Sequence, residues 1–320
     1  MTDKKLSDVE IDGYLARMRS LATMMLRTTK QTDEGMPGCW FGGQPTLPAH
    51  IEWPVYKCPF PEVDVPLHFI FQIDLRFVPR AMEYPEFPER GTLFVFVEPI
   101  LAPFDETSHI PPLLSGEGAK VIYVADDVSQ CPPRKAPLLP DPHTEYPDYG
   151  TLAAAAKRFE AGYFGGGTEE LNHWPMEFLL ANVYDEPSHP SHPDWPGEDE
   201  NDCLERSVAV SLAYDKYKEL VKHCGFYKTK LKRPPKNDLN YKKTHRMFGY
   251  EYTCVARSHS FHAHDHWPKL TRDHVLLFQV MGQDYPLRYE YPNGYALSFW
   301  IPKSDLKGGN FENILVWKAN

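Results

Sequence analysis

The chain has 320 residues, 42% hydrophobic and 24% charged, with a mean hydropathy of -0.49. That composition excludes wholesale disorder and a collagen-like repeat, and the length suffices for a core without covalent staples. The balance of 34 basic and 44 acidic residues gives a net charge of -10, which argues against nucleic acid or an anionic membrane as partner and for a basic one.

The first ten residues (MTDKKLSDVE) lack the apolar core of a leader, and no run reaches the length of a membrane helix, so residence in the cytoplasm is expected. Residues 7–30 then predict an amphipathic helix: Ser7 caps, Asp8 and Glu10 occupy the first turn, and Tyr14, Leu15, Met18, Ala22, Met25 and Leu26 recur at three and four. After the break at Gly35-Met36-Pro37-Gly38 the pattern changes. Residues 68–75 (HFIFQIDL), 92–97 (TLFVFV) and 120–125 (KVIYVA) predict buried strands, joined by loops rich in the chain's 31 prolines. The cysteines Cys39, Cys58, Cys131, Cys203, Cys224 and Cys254 form no C-x-x-C pair and read as reduced thiols.

Residues 132–149 form a proline-rich connector. Residues 152–163 (LAAAAKRFEAGY) predict a short helix, and residues 204–224 a longer one, capped by Asp202 and ended by Gly225. Opposed charge blocks flank the longer helix. Residues 185–202 hold seven acids and no Lys or Arg, whereas residues 228–246 hold eight Lys or Arg and one acid.

Self-comparison is the most informative step. Trp40-Phe41-Gly42-Gly43, residues 69–73, 91–96 and 121–124 have a late counterpart in Met247-Phe248-Gly249-Tyr250, residues 276–280, 294–299 and 314–317. Gly42 to Gln72 spans 30 positions, and so does Gly249 to Gln279. Later spacings differ as loop lengths drift, and two degenerate copies of one strand-rich unit are expected. The expected class is therefore α+β: internally duplicated strand-rich units around a shared core, with an N-terminal helix and a helical insert. The boundaries are 1–150 for the helix and first half, 151–226 for the insert and 227–320 for the second half, in one compact domain.

The segments FGGQPTLP (41–48) with IEWP (51–54), FQIDL (71–75), GTLFVFV (91–97), HRMFGY (245–250) and LLFQV (276–280) resemble the YwqG-like domain family. The resemblance covers roughly residues 36–126 and 245–317, and the insert departs from it. It implies an α+β fold with internal duplication and no established catalytic residues. Some members neighbour bacterial toxins, which implies immunity or partner binding.

Four constellations are candidates for function. His259, His262, His264 and His266 lie beside Asp265 and Trp267; in a strand His262, His264 and His266 would share one side, a possible zinc or nickel set, with a solvated polar loop as the plainer reading. The acid-rich segment carries Asp194, Trp195, Glu198, Asp199 and Glu200, in which acids would steer a basic partner and the indole would anchor it. The run YKTKLKRPPK (227–236) has the cation-and-ring pattern of single-strand binding, but the adjacent acids point to internal compensation. Gln72 and Gln279 stand at equivalent points in apolar strands, where they line a cleft or tie down neighbouring backbone. No G-x-S-x-G nucleophile and no phosphate-binding loop is present.

The expectation is a non-enzymatic cytoplasmic module, monomeric when free and without a cofactor, that blocks a basic toxin domain by docking. A metal-dependent enzyme using the histidine cluster and a small-molecule sensor with a site between the two halves are the alternatives.

Overall fold

The computed structural model describes residues 19–59, 62–80, 86–97, 118–137, 172–184, 245–249, 273–281, 283–284, 289–290 and 296–319, with positions 7, 9, 12, 13, 16 and 271. In chain order the strands are β1 (Arg19–Arg27), β2 (Trp40–Phe41), β3 (Val55–Pro59), β4 (Glu62–Pro66), β5 (His68–Asp74), β6 (Thr92–Val97), β7 (Ala119–Val124), β8 (Trp174–Tyr184), β9 (Arg246–Met247), β10 (His274–Val280), β11 (Gln283–Asp284), β12 (Tyr289–Glu290), β13 (Ala296–Pro302) and β14 (Leu315–Ala319). A 3-10 turn covers Leu75–Phe77, and the helix α1 covers Lys303–Gly308. Ten strands form one sheet in the order β14-β13-β10-β9-β1-β8-β2-β5-β6-β7, every pairing antiparallel. β3–β4 and β11–β12 are separate hairpins. No helix among the described residues is long and apolar enough to cross a membrane.

This architecture corrects the α+β expectation: the described chain is an antiparallel sheet that carries little helix. Residues 19–27, expected as the second half of an N-terminal helix, are β1 in the middle of the sheet. Met, Leu and Ala favour helix only weakly, and tertiary context overrides that preference. β1 has ladder partners on both edges, β8 and β9, and is buried on both faces. Met25 packs into the main core, while Ala22 and Met24 pack on the opposite face. A strand buried on both sides carries no period-2 polar signal, so its apolar residues also fit a helical stripe.

The expected helical insert is corrected in the same way, because residues 174–184 within it form β8, the strand beside β1 at the centre of the sheet. The helices expected at 152–163 and 204–224 lie outside the described residues.

The strand order is symmetric about the β1–β8 pair. On one side lie β2, β5, β6 and β7; on the other lie β9, β10, β13 and β14. The two sides share details that sheet order alone does not demand. A register shift falls between Phe69 and Phe71 in β5 and between Leu276 and Phe278 in β10. The Met25 N–H donates to the His245 carbonyl (2.8 Å), and the Met176 N–H donates to the Cys39 carbonyl (3.1 Å).

The register also adjusts the sequence pairing. Trp40 lies opposite Gln72 and Arg246 lies opposite Gln279, so Arg246 corresponds to Trp40 and Phe248 to Gly42. Backbone torsions agree: φ is 59° at Gly42 and 60° at Phe248, then 65° at Gly43 and 73° at Gly249. Matching the letters FGG to FGY had aligned Gly42 with Gly249, one position too late. A buried phenylalanine thus occupies a left-handed position that the first half gives to glycine, a strain of about 1–3 kcal/mol.

The inner face is the main core. Phe41, Phe71, Phe278 and Phe299 are fully buried there, with Phe71 meeting both Phe41 (5.9 Å, 74°) and Phe278 (5.4 Å, 80°) edge to face. The two ends of the sheet approach each other where Tyr123 of β7 rests its ring on Phe311, just ahead of β14 (5.0 Å). Phe71 bridges the halves from inside. Phe71→Ala should lower unfolding free energy by about 3–5 kcal/mol in chemical denaturation; a loss below about 1 kcal/mol would show that the halves do not share this core.

Candidate functional site

The two halves have one backbone plan and different side chains, and the differences concentrate at β2 and β9. Just before β2, the Cys39 Sγ accepts the Asp74 N–H (3.3 Å). At the corresponding place before β9, the His245 Nδ1 accepts the Met281 N–H (3.0 Å). That bond assigns the neutral imidazole its proton on Nε2. The His245 ring lies 5.0 Å from the Phe41 ring, so this histidine touches the first half as well. In the first half the polar end is instead Asp74, which caps the 3-10 turn and takes Nε and Nη2 of Arg76 on its carboxylate.

The outer faces differ more. In the first half β2, β5 and β6 place Trp40, Gln72 and Phe94 abreast. The loop after Gly43 covers this row. Thr46 donates its N–H to the Gln72 Oε1 (2.9 Å), the Gln72 Nε2 donates to the Gly38 carbonyl (3.2 Å), and Leu47 and Trp53 pack over Phe69, Phe94 and Phe96. Arg134 pins the loop by donating to the Pro48 and Ile51 carbonyls, with its guanidinium 6.0 Å from the Trp53 ring. The FGGQPTLP and IEWP segments are thus a lid on the sheet, and its glycines serve the bend: a Cβ on Gly43 would meet the His173 ring at 2.9 Å.

In the second half β9, β10 and β13 place Arg246, Gln279 and Ser298 abreast on the corresponding face. All three are 0% exposed. The Gln279 Nε2 donates to the Ser298 Oγ (3.1 Å). Where the first half is apolar at two of three positions, the second half has a cation, an amide and a hydroxyl.

Of the residues singled out in the sequence, Gln72 and Gln279 lie within the described residues, both buried on the outer face. Asp194, Trp195, Glu198, Asp199, Glu200, Trp267 and the histidines His259, His262, His264 and His266 lie outside them. Among the described residues no group of three or more His, Cys, Asp or Glu is placed to hold a metal. Sequence reasoning passed over Arg246, His245 and Ser298. Arg246 was grouped with a surface charge run, and only its position opposite Gln279, once registers are known, marks it as part of a buried row.

Two titratable groups respond to burial in the first half. Desolvation pushes the Cys39 thiol up to about 12, outweighing the opposing effect of its hydrogen bonding with the Asp74 backbone. His68, at the start of β5, is pulled down to about 4 by desolvation.

Residues 40–318 match the model of a family described as a domain of unknown function (DUF1963), and the chain belongs to that family. No curated protein matches the chain.

The pKa directions give two expected outcomes. Cys39 should resist iodoacetamide at pH 8 in the native protein and react on unfolding, read by mass spectrometry; rapid native labelling contradicts its placement. Because the folded state holds His68 neutral, stability is retained above the unfolded value near 6.5 and falls as pH drops from there toward 4. The melting temperature should decline across that window, and His68→Gln should flatten the decline.

Proposed function

We propose that this DUF1963 member is a non-catalytic cytoplasmic binding module that docks a basic protein, in its most specific form an immunity-type inhibitor covering a toxin domain. The observation that carries this reading is the acid-rich segment of residues 185–202, which begins one residue beyond Tyr184, the last residue of the central strand β8. A segment attached directly to a strand hydrogen-bonded on both edges is tethered to the most constrained part of the fold. Docking needs shape and charge only. Seven acids would draw a cationic face into encounter, and Trp195 would supply the buried anchor. Asp194, Glu198, Asp199, Glu200 and Trp267 complete the proposed contact set, and the net charge of -10 extends the attraction over the whole molecule.

Co-expression with the product of the neighbouring gene tests the reading. A complex should form, should weaken with added salt, and should protect growth if that product is toxic. Trp195→Ala should weaken the complex by about 2 kcal/mol, some thirtyfold in affinity, and joint neutralisation of Asp194, Glu198, Asp199 and Glu200 should slow association most at low salt. Absence of both complex and protection would refute the proposal.

A further inference from the structure

We propose that the outer face of the second half is a binding site for a small oxyanion, a carboxylate or a phosphate group, received by Arg246 with Gln279 and Ser298 beside it. This inference is independent of the docking of a basic protein. It rests on placement. The three residues stand abreast on adjacent strands β9, β10 and β13, Arg246 opposite Gln279 and Gln279 opposite Ser298, and all three are fully buried. Adjacent strands lie about 4.8 Å apart, so the row is about 10 Å across, the dimension of a small ligand.

Chemistry selects the ligand class. A guanidinium keeps its charge in any protein environment, and burying it is unfavourable unless an anion shares the site. Arg246 has contacts within the chain. Its five N–H donors in a planar fork nevertheless exceed what one such contact consumes, and the fork matches the paired oxygens of a carboxylate or phosphate. The neutral partners are suitably arranged. Because the Ser298 Oγ accepts the Gln279 amide, the serine's own proton is not used in that bond and serves as a donor toward an anion.

The first half provides the control. Its equivalent row is Trp40, Gln72 and Phe94, with Gln72 consumed by Thr46 and Gly38. The same backbone is therefore satisfied by rings, and the sheet does not require a cation there. Buried charged groups are commonly no more stabilising than well-packed apolar ones, so stability alone does not account for Arg246. Two positions beyond it, Phe248 holds the left-handed torsion that the first half assigns to Gly42. Strain of that kind gathers where function constrains the backbone.

The test is calorimetric titration of the full chain with inorganic phosphate and, separately, with succinate, at constant ionic strength, alongside melting temperature. At least one should bind with 1:1 stoichiometry and raise the melting temperature, and the arm that binds distinguishes phosphate from carboxylate. Arg246→Lys keeps the charge and loses the fork, so binding should weaken by roughly tenfold or more. If that variant does not fold by circular dichroism, Ser298→Ala carries the test, with an expected loss of roughly threefold to tenfold. No binding of either anion at about 10 mM, or unchanged affinity in the folded variant used, overturns the proposal.

Discussion

The pairing of β1 with β8 is the interaction on which the remainder of the sheet depends. Their antiparallel ladder runs from Arg19 opposite Tyr184 to Arg27 opposite Met176. Each strand then uses its other edge for the half it does not precede: β1 bonds β9, and β8 bonds β2. The halves are therefore exchanged at the midline rather than placed side by side. Breaking the central ladder would separate the two flanking groups of strands and open the shared phenylalanine core at once.

Within that frame the chemistry is unequal. The first half closes its outer face with a lid of Leu47, Trp53 and Thr46, and its buried thiol at Cys39 is held protonated by desolvation. The second half replaces thiol by imidazole at His245, indole by guanidinium at Arg246, and ring by hydroxyl at Ser298. A common backbone tolerates both sets because the ladder bonds are made by main chain, which leaves side chains on the outer face to be set by what covers them.

Much of this was legible in the sequence, and the failures have physical causes. The runs at 68–75, 92–97 and 120–125 are β5, β6 and β7 to within a residue, since continuous apolar stretches bounded by turns leave few alternatives. The match of Gln72 to Gln279 agrees with the ladder. β1 was misread because Leu21, Ala22, Met24, Met25 and Leu26 are good helix formers and long-range pairing decides their state. The one-residue misalignment at Phe248 arose because sequence similarity favours glycine at φ > 0. Arg246 was obscured because burial of a single cation within a basic run has no local signature.

The exchange at the midline also has a kinetic side. Leu26 meets Glu177 across 151 positions, and Thr23 meets Met247 across 224. During synthesis the apolar strand β1 leaves the ribosome long before either of its neighbours exists, and closing such separations is slow. The nascent chain therefore carries a sticky, partnerless segment through most of translation, which makes early folding of this protein sensitive to chaperone supply.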